Sequence, residues 1–144
     1  MRLGVAAVTL TLLPLVAGCG HAQGYCDRVR GHQSDLGSIT RDGDRAALLR
    51  ALPIFEDLAD AAPDDVADDW RLLVTRIRGL DTALTAADVD AATYDPKHPP
   101  SRLSAEQLGV IRRAAAQLAA SDTQQALAQV QQEVLDVCHT PLEL

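Results

Sequence analysis

Along most of this chain apolar residues return at spacings of three and four, the period of helices that bury one face. Tyr25, Val29 and Leu36, with Cys26 beside them, predict a first helix over Tyr25 to Leu36 that Gly37 stops. After a turn over Ser38 to Gly43, with Asp42 or Asp44 as cap, Leu48, Leu52, Phe55 and Ala59 form a stripe that stays in phase across Pro53. A proline inside a helix removes one hydrogen bond and clashes with the turn before it, so this segment is expected to be one kinked helix. Ala62-Pro63-Asp64-Asp65 marks the clearest helix start, because proline suits the first helical position and acids there meet the positive end of the helix dipole. Val66, Trp70, Leu73, Ile77, Leu80 and Leu84 then make one long seam, with Trp70 as the anchor of a core.

Thr85 with Asp88 predicts a short capped helix through Ala92. The prolines of the segment from Tyr94 to Arg102 exclude regular structure, which makes it the main loop. Beyond it, Ser104 and Gln107 read as a capping box, with Leu103 and Leu108 as a staple and Leu108, Ile111, Ala115 and Leu118 as the buried face. Ser121 with Gln124 repeats the capping pattern before a last helix whose inner face is Leu127, Val130, Val134 and Cys138, and which Pro141 ends. No strand pattern interrupts the series. The fold class is therefore all-α: about five helices in a small bundle, with a Pro-rich loop before the fourth long helix.

The opening of the chain follows a different rule. Arg2 precedes an almost wholly apolar run from Leu3 to Val16, and small residues follow it, the layout of a secretory signal segment. Val16-Ala17-Gly18-Cys19 resembles the lipobox of bacterial lipoproteins. That resemblance implies cleavage before Cys19 and a diacylglyceryl group on its sulfur. It divides the chain into a lipoprotein signal peptide (1–18), a lipidated Cys19 with a short tether (19–24), and a single helical domain (25–144). Two acyl chains hold a protein stably at a bilayer where one binds only marginally. A spanning helix needs about 20 apolar residues, and this run is shorter and carries Pro14 and Gly18.

Once Cys19 is assigned to lipid, Cys26 and Cys138 remain in a chain sent to a compartment where disulfides persist. A bond between them is the expectation; free thiols or a redox pair are the alternatives, and no C-x-x-C pattern favours the last. Five helices of simply alternating direction would put the two cysteines at opposite ends of the bundle, too far apart to bond. Either the Pro-rich loop crosses over, or the short first helix lies across the bundle's end; the second is preferred.

Charge narrows the function. The chain of 144 residues carries a net charge of −7, and the part from Cys19 onward is more acidic still, since Arg2 lies before it. Nucleic acid is excluded as a partner for want of a basic surface, and anionic headgroups would not attract the domain. Glu56, Asp57, Asp60, Asp64, Asp65, Asp68 and Asp69 invite a cation-binding reading of 56–69, but dipole placement and water-facing positions account for them, and no EF-hand spacing occurs. His21, His32, His98 and His139 are far apart in sequence, no nucleophile elbow or phosphate loop is present, and no metal, cofactor or catalytic group is expected. The candidate partner site is the loop with Tyr94, Lys97, His98 and Arg102, because loops carry recognition and extended prolines cost little to order.

Tyr25-Cys26, the run from Ala62 to Trp70 and Cys138 together resemble a group of small actinobacterial lipoproteins with no assigned activity. The expectation is a non-enzymatic, lipid-anchored module on the extracytoplasmic face of the cell membrane, binding an envelope protein partner or acting as a scaffold. The alternative is a carrier of a small apolar ligand or lipid, which requires an apolar pocket of about 300 Å³ or more where a scaffold needs only a filled core.

Overall fold

Residues 19–42 and 46–143 are described by the structure, a computed structural model; the expected signal segment and Asp44 lie outside them. Six helices follow one another: α1 (Cys19–Arg41), α2 (Ala47–Arg50), α3 (Leu52–Ala61), α4 (Ala67–Ala86), α5 (Ala105–Leu118) and α6 (Ser121–Cys138). Among the described residues there is no strand, and no helix is long and apolar enough to cross a membrane.

Several boundaries differ from the sequence reading. The expected tether 19–24 continues α1, and Gly37 does not stop that helix, which runs on to Arg41. Each glycine costs a helix about 1 kcal/mol relative to alanine, and burial of Leu36 with partial burial of Ile39 against the core offsets it. The segment around Pro53 is two short helices instead of one kinked helix. Proline has no N–H to give, so the chain breaks at Ala51 and Pro53 sits in the first turn of α3, where its missing donor is harmless. Phase is nevertheless kept, since Ala51, Leu52, Phe55 and Leu58 are all buried.

A turn over Pro63 to Val66 precedes α4, so that helix starts at Ala67, with Asp68 and Asp69 in its first turn. Its end overrides the short helix expected after Thr85. Instead α4 absorbs Thr85 and Ala86, and Asp88 turns the chain with a left-handed φ of 53°, which aspartate tolerates better than most residues. The Ser104–Gln107 capping box forms as expected, the Ser104 hydroxyl accepting from the Gln107 N–H at 3.1 Å and the Gln107 carbonyl accepting from the Ser104 N–H at 2.9 Å. The second box does not form. Ala120 is the N-cap of α6, and the Thr123 hydroxyl donates instead to the Gln117 carbonyl at 2.8 Å, stitching α5 to α6. On α5, Ala114 is buried in place of Ala115, which is exposed.

Six helices make four passes. Arg28 and His32 of α1 meet Asp57, while Leu36 and Ile39 lie beside Ala47 and Ala51, so α2 and α3 together run antiparallel to α1. The short turn 62–66 sends α4 back along α3, with Phe55 and Trp70 rings 5.8 Å apart and tilted. Val110 then lies beside Ala83 and Ala86, Leu118 beside Leu80, and Asp122 beside Arg76, so α5 covers the second half of α4 and α6 continues along the first. An even number of passes returns the chain to the end where it began. Cys26 and Cys138 meet there, joined by a disulfide with Cα atoms 5.1 Å apart. Neither a crossover loop nor a first helix lying across the end is used; the odd helix is resolved because α2 and α3, and α5 and α6, each share one pass.

His139 then adopts a left-handed φ of 54° and turns the tail, so that Gln33 of α1 donates to the Thr140 hydroxyl at 2.6 Å and to the Pro141 carbonyl at 2.8 Å. Leu142 is buried behind it.

Buried residues fall into two clusters. The larger surrounds Trp70, which with Tyr25, Leu58, Val29, Val130 and Val134 is completely inaccessible to solvent. The Trp70 indole N–H donates to the Tyr25 hydroxyl at 2.8 Å, and burial pushes the Tyr25 phenol up to about 12 although that hydrogen bond works the other way. The smaller cluster contains Ala83, Leu84, Ala87, Leu103, Ile111 and Ala114, from the end of α4, the following loop and α5.

Candidate functional site

The end of the bundle opposite the disulfide carries the proline-rich loop. Here the chain leaves α4 at Ala87 and wanders to Leu103 before α5 begins. Two aspartates build it locally: the Asp90 carboxylate accepts from the Ala92 N–H at 2.9 Å, and the Asp95 carboxylate accepts from the Lys97 N–H at 2.9 Å. Such side-chain to backbone bonds let a loop hold its shape without a ladder of its own. The second oxygen of Asp95 lies 2.9 Å from His98 Nδ1.

Of the four residues singled out in this loop, three line one cavity and one does not. Tyr94, His98 and Arg102 border a space of about 510 Å³ together with Thr85, Asp88 and Asp90, whereas Lys97 is exposed outside it. Arg102 has a positioning role: its guanidinium donates to the carbonyls of Ala87 (3.0 Å) and Asp88, clamping the left-handed corner that closes α4. Tyr94 is half-buried and packs against the smaller cluster. Sequence reading missed Thr85, Asp88 and Asp90, because they were assigned to a helix that does not form.

Tyr94 also borders a second space. Between α2, the second half of α4, α5 and the loop lies an apolar groove of about 300 Å³, walled by Leu48, Leu80, Leu84, Ile111, Ala115 and Leu118. Leu48 and Leu118 also border a further pocket of about 110 Å³ over Phe55, Leu73, Ile77 and Leu127. Leu48 and Ala115 belong to stripes expected to be buried, and both are exposed at the rim of this groove instead. Periodicity identified them as apolar and could not show that the facing helices stand too far apart to close over them.

The acidic stretch 56–69 is partly consumed by pairing, across helices for Glu56 and Asp57 and within α4 for Asp68. Glu56 accepts from Arg78 at 2.7 Å, Asp57 accepts from Arg28 and lies 2.9 Å from His32 Nε2, and Asp68 pairs with Arg71. The hydrogen bond to His32, helped by the nearby Arg28 charge, holds the Asp57 carboxyl below its ordinary range, and burial opposes it more strongly than the Arg28 charge assists. Glu56 and Asp57 thus reach neighbouring helices while their side chains stay about 40% exposed to water. Across the fold, Arg76 of α4 meets Asp122 of α6 at 3.2 Å, and the Thr123 backbone N–H is the main reason the Asp122 carboxyl is lowered. At the disulfide end, burial, then Asp65 and Asp136, raise the Glu133 carboxyl.

His32 bonds to Asp57, His98 to Asp95, and His139 closes α6. Among the described residues no group of three or more His, Cys, Asp or Glu side chains is arranged to hold a metal ion. Comparison with family models, with curated proteins and with solved structures finds no match, so the functional reading rests on the residues and geometry above.

Proposed function

We propose that this protein is a lipid-anchored, non-enzymatic binding module on the extracytoplasmic face of a bacterial cell membrane, with Cys19 as the lipidated residue. The observation that carries this reading is Val16-Ala17-Gly18-Cys19 at the end of an apolar leader. It is supported by the remaining two cysteines, which pair with each other and leave Cys19 outside the disulfide. On this reading the bilayer lies at the end of the bundle where Cys26 meets Cys138. The loop with Tyr94, Lys97, His98 and Arg102 would then face outward at the other end, separated by α4, whose 20 residues span about 30 Å. That outward end is where an envelope protein partner would be met.

Feeding cells an alkyne-tagged palmitate should label the protein, and Cys19→Ala should abolish the label and move the protein to the soluble fraction. Continued labelling or membrane retention of Cys19→Ala would overturn the anchor.

A second reading, a carrier of a small apolar ligand, is favoured by the groove beside Leu48 and Leu118, whose volume of about 300 Å³ meets the lower limit for ligand pockets. The two readings are compatible, since the groove and the anchor lie in different parts of the chain.

A further inference from the structure

We infer that the apolar groove and the loop cavity are two halves of one site, built for a single-chain amphiphile with a cationic head. The inference rests on the second reading, that the groove takes a ligand, and goes beyond it by naming the ligand's chemistry.

The tail half follows from shape and lining. The groove and its extension run along α4 from Leu73 to Leu84, about 16 Å at the helical rise of 1.5 Å per residue. Side chains along the way are aliphatic or aromatic; polar ones stand only at the ends, Thr123 and Gln124 at one and Tyr94 at the other. A long apolar space with polar groups only at its ends suits an extended hydrocarbon chain. Its volume, about 300 Å³ and then 110 Å³, suits one chain rather than two.

The head half follows from charge. Tyr94 is common to both spaces, so a molecule lying in the groove brings its polar end past this ring into the loop cavity. Three carboxylates border that cavity, Asp88, Asp90 and Asp95. Against them stand His98, already beside Asp95, and Arg102, whose guanidinium is bound to two backbone carbonyls. A carboxylate or phosphate head would meet more negative than positive charge there. A quaternary or primary ammonium meets complementary charge, with the Tyr94 ring as a face on which a cation can rest. A soluble basic peptide would satisfy the cavity but leave the groove unfilled; a fatty acid would do the reverse.

The test uses the purified full chain in phosphatidylcholine vesicles and three photoactivatable probes: dodecyltrimethylammonium, dodecanoate and dodecyl maltoside. Each carries a diazirine in its chain, the probes are matched in bilayer concentration, and labelled residues are located by mass spectrometry. Dodecyltrimethylammonium should label residues 48–49 and 111–118 about tenfold more than dodecanoate, the scale of discrimination that charge complementarity supplies. Ala115→Phe, which fills the groove from an exposed position, should remove groove labelling by all three probes. Leu48→Arg should do the same, and unchanged near-ultraviolet circular dichroism from Trp70 would show that both variants are folded. Asp88→Asn with Asp90→Asn should bring the cationic and anionic probes to near equality and leave dodecyl maltoside unchanged.

Equal labelling by all three probes in the unaltered protein would overturn the cationic head while leaving an apolar-ligand groove. Absence of groove labelling by any probe, or labelling that survives both Ala115→Phe and Leu48→Arg, would overturn the groove as a ligand site and the inference with it. Cys19 plays no part in these outcomes, so the anchor stands or falls separately.

Discussion

The two halves of this bundle are built from different material. Around Trp70 the core is made of large side chains from α1, α3, α4 and α6, among which Trp70, Tyr25, Leu36, Leu58 and Ile77 are at most 1% exposed. That half is also cross-linked, by the disulfide between Cys26 and Cys138 and by the Tyr25–Trp70 hydrogen bond. Around Ile111 the core is half alanine and holds together chiefly through α4, α5 and the Arg102 clamp. The loop cavity and the apolar groove both border this second half. Large side chains leave smaller spaces, about 110 Å³ over Phe55 and Ile77 and about 200 Å³ beside Leu36, than small ones on helices joined by a long loop. Open space and smaller side chains thus go together, and the disulfide cross-links the more tightly filled end.

The contrast can be broken most directly at its strongest point. Trp70→Ala should cost about 3–5 kcal/mol, the range for emptying a large aromatic from a core, and should unfold the whole domain as one transition in urea; a loss confined to α5 would contradict the division. Next, replacing Cys26 and Cys138 together by serine should cost about 2–5 kcal/mol, since the bond closes a long loop. Thermal unfolding should register it, while the groove residues remain unaffected in probe labelling.

A smaller effect is expected from Ile111→Ala, about 2 kcal/mol at the low end for such truncations because the site already adjoins open space. Hydrogen exchange should speed up in residues 105–118 and not in α1 or α3. Uniform acceleration would mean that one core, not two, governs stability.

The smallest effect is one of pH. Glu133 has a raised carboxyl, so the folded state binds its proton more tightly than the unfolded state does. The stability this gives is fully present below the ordinary glutamate range and is lost as pH rises through the raised value. Glu133→Gln should therefore raise the melting temperature slightly at pH 7 and leave it unchanged at pH 3. Asp57 has the opposite sign: its carboxyl is lowered, its contribution is present above the ordinary aspartate range, and it fades as pH falls through the lowered value. Asp57→Asn should be destabilising at pH 7 and nearly neutral in strong acid.

Much of the bundle was legible because burial at a helical period is a local property. The seam from Val66 to Leu84 and the capping box at Ser104 could be read directly, since their causes lie within a few residues of each other. Boundaries were less legible where a distant contact outweighed a local signal. Gly37 should end a helix, yet Leu36 and Ile39 pack onto another pass and carry it onward. Ser121 should cap a helix, yet the Thr123 hydroxyl finds the Gln117 carbonyl first. The candidate site was half legible: the prolines marked the loop, but the aspartates that share its cavity were hidden in a helix that tertiary packing did not permit.

By itself the sequence determined that the chain is helical, which residues are apolar on each helix, that its charge is negative, and that three cysteines divide into one just after the opening apolar run and two that can pair. Each follows from residue chemistry over a span of a turn or two. Only the tertiary structure decided that six helices make four passes, that Cys26 and Cys138 therefore meet, and that Leu48, Tyr94 and Leu118 border open space. Those outcomes depend on how far apart helices stand and in which direction they run, and such distances are set by the sum of side chains meeting from opposite sides of a core, which no single stretch of sequence contains.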